Sequence, residues 1–184
     1  MRTLWALGIL VGLAGLPGSA SCDQTDPRLG SLFEQLKTAT QPTAAQSIER
    51  QIWEIWLVPS DPAIQSLLDA GIDAMNRGDY RVALETFDQM VLRSPEYAEG
   101  WNKRATVHYM LGNFEESLAD IDATLELEPH HFGALSGRGL VHVKLGDYER
   151  ALSAFEDALE VSPQSAGPRA NAKALREILG QRDI

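Results

Sequence analysis

From residue 27 onward the apolar positions of this chain fall at helical intervals. Leu29, Leu32, Phe33 and Leu36 follow the i, i+3, i+4, i+7 spacing that lines one face of a helix, and Ala45, Ile48, Ile52, Ile55 and Trp56 do so again beyond Gln41-Pro42. These two stretches predict a helical hairpin over 27–57, connected to the rest through Val58-Pro59-Ser60-Asp61-Pro62. Asp61 reads there as an N-cap with Pro62 in the first turn. Beyond that linker, helical segments of about 14 residues alternate with glycine breaks, a length of about four turns each.

The breaks are periodic. Gly78-Asp79-Tyr80, Gly112-Asn113-Phe114 and Gly146-Asp147-Tyr148 lie 34 residues apart, and so do Pro95, Pro129 and Pro163. Ala83, Ser117 and Ala151 keep the same interval, as do Phe87, Ile121 and Phe155, and Met90, Thr124 and Ala158. Each repeat therefore reads as two helices. They are broken where glycine can adopt a backbone conformation other residues avoid, and ended by a proline that has no N–H and restricts its predecessor.

These residues resemble the tetratricopeptide (TPR) family, whose units carry small residues at positions 8 and 20, Gly-x-aromatic at 15 to 17, a bulky residue at 24, a small one at 27 and Pro at 32. On that register the repeats span 64–97, 98–131 and 132–165, with Gly71, Ala105 and Gly139 at position 8. Met90 and Thr124 are larger than the family's usual Ala, and Arg104 and Arg138 stand where Leu is usual. The resemblance implies an all-α, right-handed TPR solenoid of three helix-turn-helix repeats. Stacked repeats need polar ends, and 166–184 supplies a capping helix and tail, with Ala174, Leu175, Ile178 and Leu179 expected inward and Arg169, Lys173, Arg176 and Glu177 outward.

The N-terminus has a different pattern. Met1-Arg2 precedes an apolar run from Leu4 to Leu16, then Pro17-Gly18-Ser19-Ala20-Ser21, the layout of a secretory signal peptide over 1–20. The run of 13 residues is short of the roughly 20 that span a bilayer as a helix. A flexible mature N-terminus is expected over 21–26. The single cysteine, Cys22, beside the cleavage region, is either an unpaired thiol or a lipidated first residue as in bacterial lipoproteins, and one cysteine allows no internal disulfide. Export to the periplasm or cell envelope follows as an expectation, with membrane attachment only through Cys22.

Charge narrows the partners. Sixteen basic residues against 26 acidic give a net charge of −10, which argues against a phosphate backbone, whose binding needs clustered Lys and Arg. No Gly-Lys-Thr phosphate loop, His-Glu-x-x-His pair or Gly-x-Ser-x-Gly turn occurs, so no enzyme activity, metal or cofactor is expected. Gly133, Gly137 and Gly139 read as helix packing rather than as a dinucleotide fingerprint, because they follow a helix and not a strand. His130 and His131 fall at an inter-repeat turn, where exposed imidazoles are expected, and His108 and His142 read as semi-buried fillers. The helix 115–128 carries Glu115, Glu116, Asp120, Asp122, Glu126 and Glu128 with no Lys or Arg, which reads as a solvated convex face, the alternative being an acidic docking strip for a basic partner.

By resemblance, the functional surface is the concave groove lined by first helices. Its expected residues are Leu68, Ile72, Met75, Asn102, Thr106, Tyr109, Met110, Ser136, Leu140 and Val143, with Glu99 on the rim. Chaperone-binding TPR domains grip a C-terminal carboxylate with basic residues and an Asn at positions where this chain has Leu68, Ile72, Gly133 and Gly137, so no such clamp is expected. An apolar stripe with a few hydrogen-bonding groups suits the apolar face of a helix or an extended segment. The alternative is that the chain's own hairpin fills part of it. The sequence thus predicts a non-catalytic scaffold for a protein or peptide partner, or else an accessory subunit of an envelope enzyme or assembly complex.

Overall fold

The computed structural model describes residues 23–182; the stretch 1–20 expected to be a signal peptide and Cys22 lie outside the described residues. Within them are nine helices: α1 Arg28–Thr38, α2 Pro42–Trp56, α3 Pro62–Asn76, α4 Tyr80–Arg93, α5 Ala98–Leu111, α6 Phe114–Leu127, α7 Phe132–Leu145, α8 Tyr148–Val161 and α9 Ala166–Arg182. Consecutive helices from α3 to α9 pack on one another, the signature of stacked helical hairpins.

The three glycine breaks share one geometry. Gly78, Gly112 and Gly146 have φ of 78°, 81° and 75°, the left-handed conformation that costs a glycine little. The following N–H closes back on the preceding helix in each case: Asp79 on Ala74 O, Asn113 on His108 O and Asp147 on His142 O, at 2.9, 2.9 and 3.0 Å. This satisfies a carbonyl the helix end would otherwise leave open. The prolines do the complementary work. Ser94, Glu128 and Ser162, each preceding one, leave the helical region with ψ of 70°, 91° and 86°, and the second helix stops.

Packing inside each repeat explains which small residue stands at position 8. A Cβ on Gly71 would lie 2.3 Å from Phe87 Cε1, and one on Gly139 would lie 2.7 Å from Phe155 Cε1. The middle repeat has the smaller Ile121 opposite, and there Ala105 is tolerated. Both phenylalanines are wholly buried, which stabilises the fold by roughly 1.5–3 kcal/mol each. Met90 packs toward Gly100 of the next repeat, where a Cβ would lie 3.4 Å from Met90 Cε, at the near edge of ordinary contact. Ser117 replaces alanine at the closest helix approach and donates its hydroxyl to Ala105 O at 2.9 Å.

The two arginines that depart from the family pattern bind successive repeats together. Arg104 makes a two-pronged pair with Asp120 (2.7 and 2.8 Å) and reaches Asp88 of the preceding repeat at 2.8 Å. Arg138 repeats the second contact on Asp122 at 2.6 Å, and Arg176 of α9 repeats it on Glu156 at 2.7 Å. The hydrogen bond to Asp120 is the main cause that raises the Arg104 pKa above its ordinary value. The solvated reading of α6 is therefore corrected at Asp120, which is 4% exposed, and at Glu128, also buried. A helix whose carboxylates find cations on the neighbouring helix carries none of its own.

The α1–α2 hairpin does not extend the stack as a further repeat. It lies across three successive inter-repeat turns. At the first, Tyr97 donates its hydroxyl to Trp56 O and Gln24 Oε1 accepts from Ala98 N. At the second, Phe33 and Trp56 meet His130 and His131, with ring centroids 5.0 and 4.1 Å apart. At the third, Glu49 accepts the hydroxyls of Ser162 (2.7 Å) and Ser165.

At the other end α9 caps the solenoid, with one correction to its inward face. Ala172 and Leu175 are buried against Ala151 and Phe155, whereas Ala174 is exposed and Ile178 is 41% exposed. The edge carrying Ala172 and Leu175, rather than the one carrying Ala174 and Ile178, faces Ala151 and Phe155 of α8.

Candidate functional site

The hairpin divides the concave face into a sealed end and an open end. At the sealed end, Trp53 stands over Gly133, where a Cβ would lie 2.8 Å from its ring, so α7 comes this close only because that residue is glycine. Trp53 also meets Trp56, His131 and Phe132 edge-on at 5.3, 5.4 and 5.6 Å, and the Lys103 ammonium lies 5.3 Å from its ring centre.

Beneath these rings is a buried polar cluster. His131, expected at the surface, is 0% exposed and stacked flat on Trp56. Its Nδ1 caps α7 by accepting from Ala134 N at 3.1 Å, so the ring proton is on Nε2, which donates to Glu99 Oε2 at 2.9 Å. Asn102 Nδ2 donates to the same oxygen at 2.8 Å. Lys103 Nζ lies 2.8 Å from Glu99 Oε1, an ion pair off the hydrogen-bond direction. Glu99 is thus no rim residue, being 1% exposed. Burial pushes its carboxyl up, but Lys103 and His131 together outweigh that and hold its pKa below the ordinary value.

The open end is a pocket of about 180 Å³ between α5, α6 and α7. Asn102, Thr106 and Tyr109 come from α5, and Gly133, Ser136, Gly137 and Leu140 from α7; Ala105, Ser117, Ile121 and Val141 are its buried floor. Thr106 is tied to its own helix by donating to Asn102 O at 2.9 Å, and Tyr109 leans on Phe114 at 6.0 Å. The structure brings five of the sequence-predicted groove residues to this pocket: Asn102, Thr106, Tyr109, Ser136 and Leu140.

The other five lie elsewhere. Leu68 is corrected from groove to core, buried with Ile64, Phe87 and Tyr97, and Ile72 and Met75 pack partly into the same cluster. Leu57, just after α2, packs against the same cluster, so the first repeat's stripe is partly buried. Val143 packs toward Phe155 and Leu175, and Met110 is 49% exposed outside the pocket lining. The histidines at position 11 are half-buried or buried; burial pushes the His142 imidazole below its ordinary pKa. Among the described residues no group of three or more His, Cys, Asp or Glu is placed to hold a metal.

The sealed end was missed because its parts are remote in sequence: His131 and Glu99 are 32 residues apart, and the Trp that covers them is on another unit. A usable signal was the Trp53/Trp56 pair in a hairpin too short to bury two indoles by itself.

A family model for the tetratricopeptide repeat matches residues 68–131 and 103–168, which is more than half of the chain. The chain belongs to the tetratricopeptide repeat family. With that membership comes the right-handed solenoid implied by the Gly-x-aromatic and Pro columns. A TPR repeat-containing protein of Rhizobium etli is 34% identical over 100 residues, which are 54% of this chain and 49% of that protein, so the TPR chain matches about half the relative's length. Among solved structures, the Sgt2 TPR domain of Aspergillus fumigatus superposes with a TM-score of 0.63 at 21% identity, over 69% of this chain and 85% of that one. The TPR2B domain–pHsp70 complex of yeast Sti1 gives 0.58 at 22%, over 62% and 96%. Such identities carry the fold.

Proposed function

We propose that this TPR chain is an exported, non-catalytic scaffold of the cell envelope that holds a segment of another protein on the open part of its concave face. The observation that carries the reading is the pocket between α5 and α7, where Tyr109 and Leu140 stand at a surface the hairpin leaves uncovered. The peptide complex of the Sti1 domain supports it by fold alone. The leader-like run Leu4–Leu16 supports export, with a mature start at Ser21 or at a lipidated Cys22. No helix among the described residues is long and apolar enough to cross a membrane.

A photo-crosslinking side chain placed at Tyr109 or Leu140 in native envelope preparations is expected to trap a discrete partner, identified by mass spectrometry, while the same group at Glu116 on α6 traps none. Trapping from Glu116 alone would place docking on the convex side and overturn the reading. Intact mass of the native protein tests export, and retention of residues 1–20 would refute it.

A further inference from the structure

We propose that Gly137 makes the concave pocket a receptor for one large uncharged side chain, aliphatic or aromatic, presented by a partner segment with no acidic group beside it. This specifies the ligand of the groove reading above and rests on it.

The glycines of the concave helices differ in what requires them. Gly71 and Gly139 have a phenylalanine where a Cβ would be, and Gly133 has Trp53. At Gly137 the nearest atom to a Cβ is Ile121 Cδ1, at an ordinary contact distance of 3.6 Å. Alanine would fit there without displacing anything, and a helix interior favours alanine over glycine. Internal packing therefore gives no reason for this residue. Its bare backbone keeps space open on the pocket side, where it is flanked by Ser136 and Leu140.

Size and charge define what fits that space. The pocket of about 180 Å³ is close to the cavity of about 150 Å³ that admits a benzene ring in an engineered protein core. It takes one ring or one branched aliphatic group. No charged side chain lines it. The cations beside the lining residues are already paired: Lys103 with Glu99 under Trp53, Arg104 with Asp120 and Asp88, and Arg138 with Asp122. An entering carboxylate would lose water and find no cation to pair with.

Asn102 adds a directional contact. Its amide nitrogen must be the atom facing Glu99, since a carboxylate only accepts, and this fixes the amide oxygen on the other side. That oxygen accepts no hydrogen bond among the described residues and is not sealed from solvent, although the residue as a whole is buried. It is an oriented acceptor for a main-chain N–H next to the inserted side chain.

The test is a backbone-amide NMR titration of the full chain with N-acetyl-phenylalanine amide and N-acetyl-leucine amide, using N-acetyl-aspartate amide as the contrast. The two apolar probes are expected to give saturable shifts at Asn102, Ser136, Gly137 and Leu140, and the acidic probe none. Gly137→Ala should weaken the apolar probes by about tenfold or more, the scale of one misplaced methyl-sized group in an apolar pocket, while its Tm stays the same or rises. Unchanged probe affinity in Gly137→Ala, or equal shifts from the acidic probe, overturns the proposal. Probe binding as described with no partner trapped from Tyr109 or Leu140 leaves this chemistry standing and refutes the groove reading; trapping with probes indifferent to Gly137→Ala does the reverse.

Discussion

The two ends of the concave face are built on register positions about one helical turn apart and put to opposite use. At the sealed end Glu99, Lys103 and Gly133 lie under a tryptophan, with their charges spent on one another and on His131. At the open end Asn102, Thr106, Ser136 and Gly137, one helical step further along, carry no charge and face a space. The difference teaches that a repeat register gives the direction in which a side chain points and leaves undetermined whether anything covers it. Coverage here is decided by the hairpin, an element outside the repeats.

The largest effect expected from breaking this contrast is loss of the hairpin's anchor. Trp56→Ala removes an indole that is 1% exposed and stacked on His131, so denaturant unfolding should show about 3–5 kcal/mol lost. A loss below about 1 kcal/mol, the range of an ordinary surface change, would mean that the hairpin is not docked as described. Next come two of the three glycines of α7. Gly139→Ala forces a methyl against Phe155 and should cost about 1–3 kcal/mol, whereas Gly137→Ala should stabilise by up to about 1 kcal/mol. Equal signs in thermal melts would dissolve the distinction between a glycine required by packing and one that leaves a pocket open.

A third, smaller effect concerns pH. The Glu99 carboxyl titrates below its ordinary 4.5 in the folded chain, so the unfolded chain binds the extra proton first as pH falls. Its contribution is complete above pH 4.5 and is lost as pH drops through the folded value. Unfolding free energy measured between neutral pH and pH 3 should thus fall less steeply in Glu99→Gln than in the parent, while Ser136→Ala at the open end leaves the slope unchanged. The smallest effect belongs to the exposed repeat-to-repeat pair. Asp122→Ala should cost under about 1 kcal/mol, because Asp122 is 64% exposed, and a double-mutant cycle with Arg138→Ala reads the coupling directly.

What the sequence made legible and what it hid follow one physical rule. Helices, turns and repeat phase were readable because their causes are local: a left-handed glycine, a proline, an apolar face within two turns. Hidden contacts were those whose partner lies on another element. Arg104 looked like a departure from the family pattern, and Asp120 like one more acid on a wet helix, until the structure joined them across 16 residues. The same spacing links Arg104 to Asp88 and Arg138 to Asp122, so an arginine at position 7 with an aspartate 16 residues before it was a readable signal. In the groove, Asn102, Thr106, Tyr109, Ser136 and Leu140 converge on one pocket, while Leu68 is an apolar side chain taken into the first repeat's own core with Ile64, Phe87 and Tyr97.

Glu49 of the hairpin binds Ser162, 113 residues further along the chain, and this separation sets an order of events during synthesis. At about 5–20 residues per second, roughly 6–20 s pass between the appearance of the two. Each helix pair closes on its own neighbours far faster, since its contacts are local. The hairpin is therefore made first and seated last. Until the start of α7 has emerged, Trp53 and Trp56 have no His131, Phe132 and Gly133 to bury against, and this is the interval in which the young chain's indoles are most exposed to capture, by a helper that shields them or by a second copy of itself.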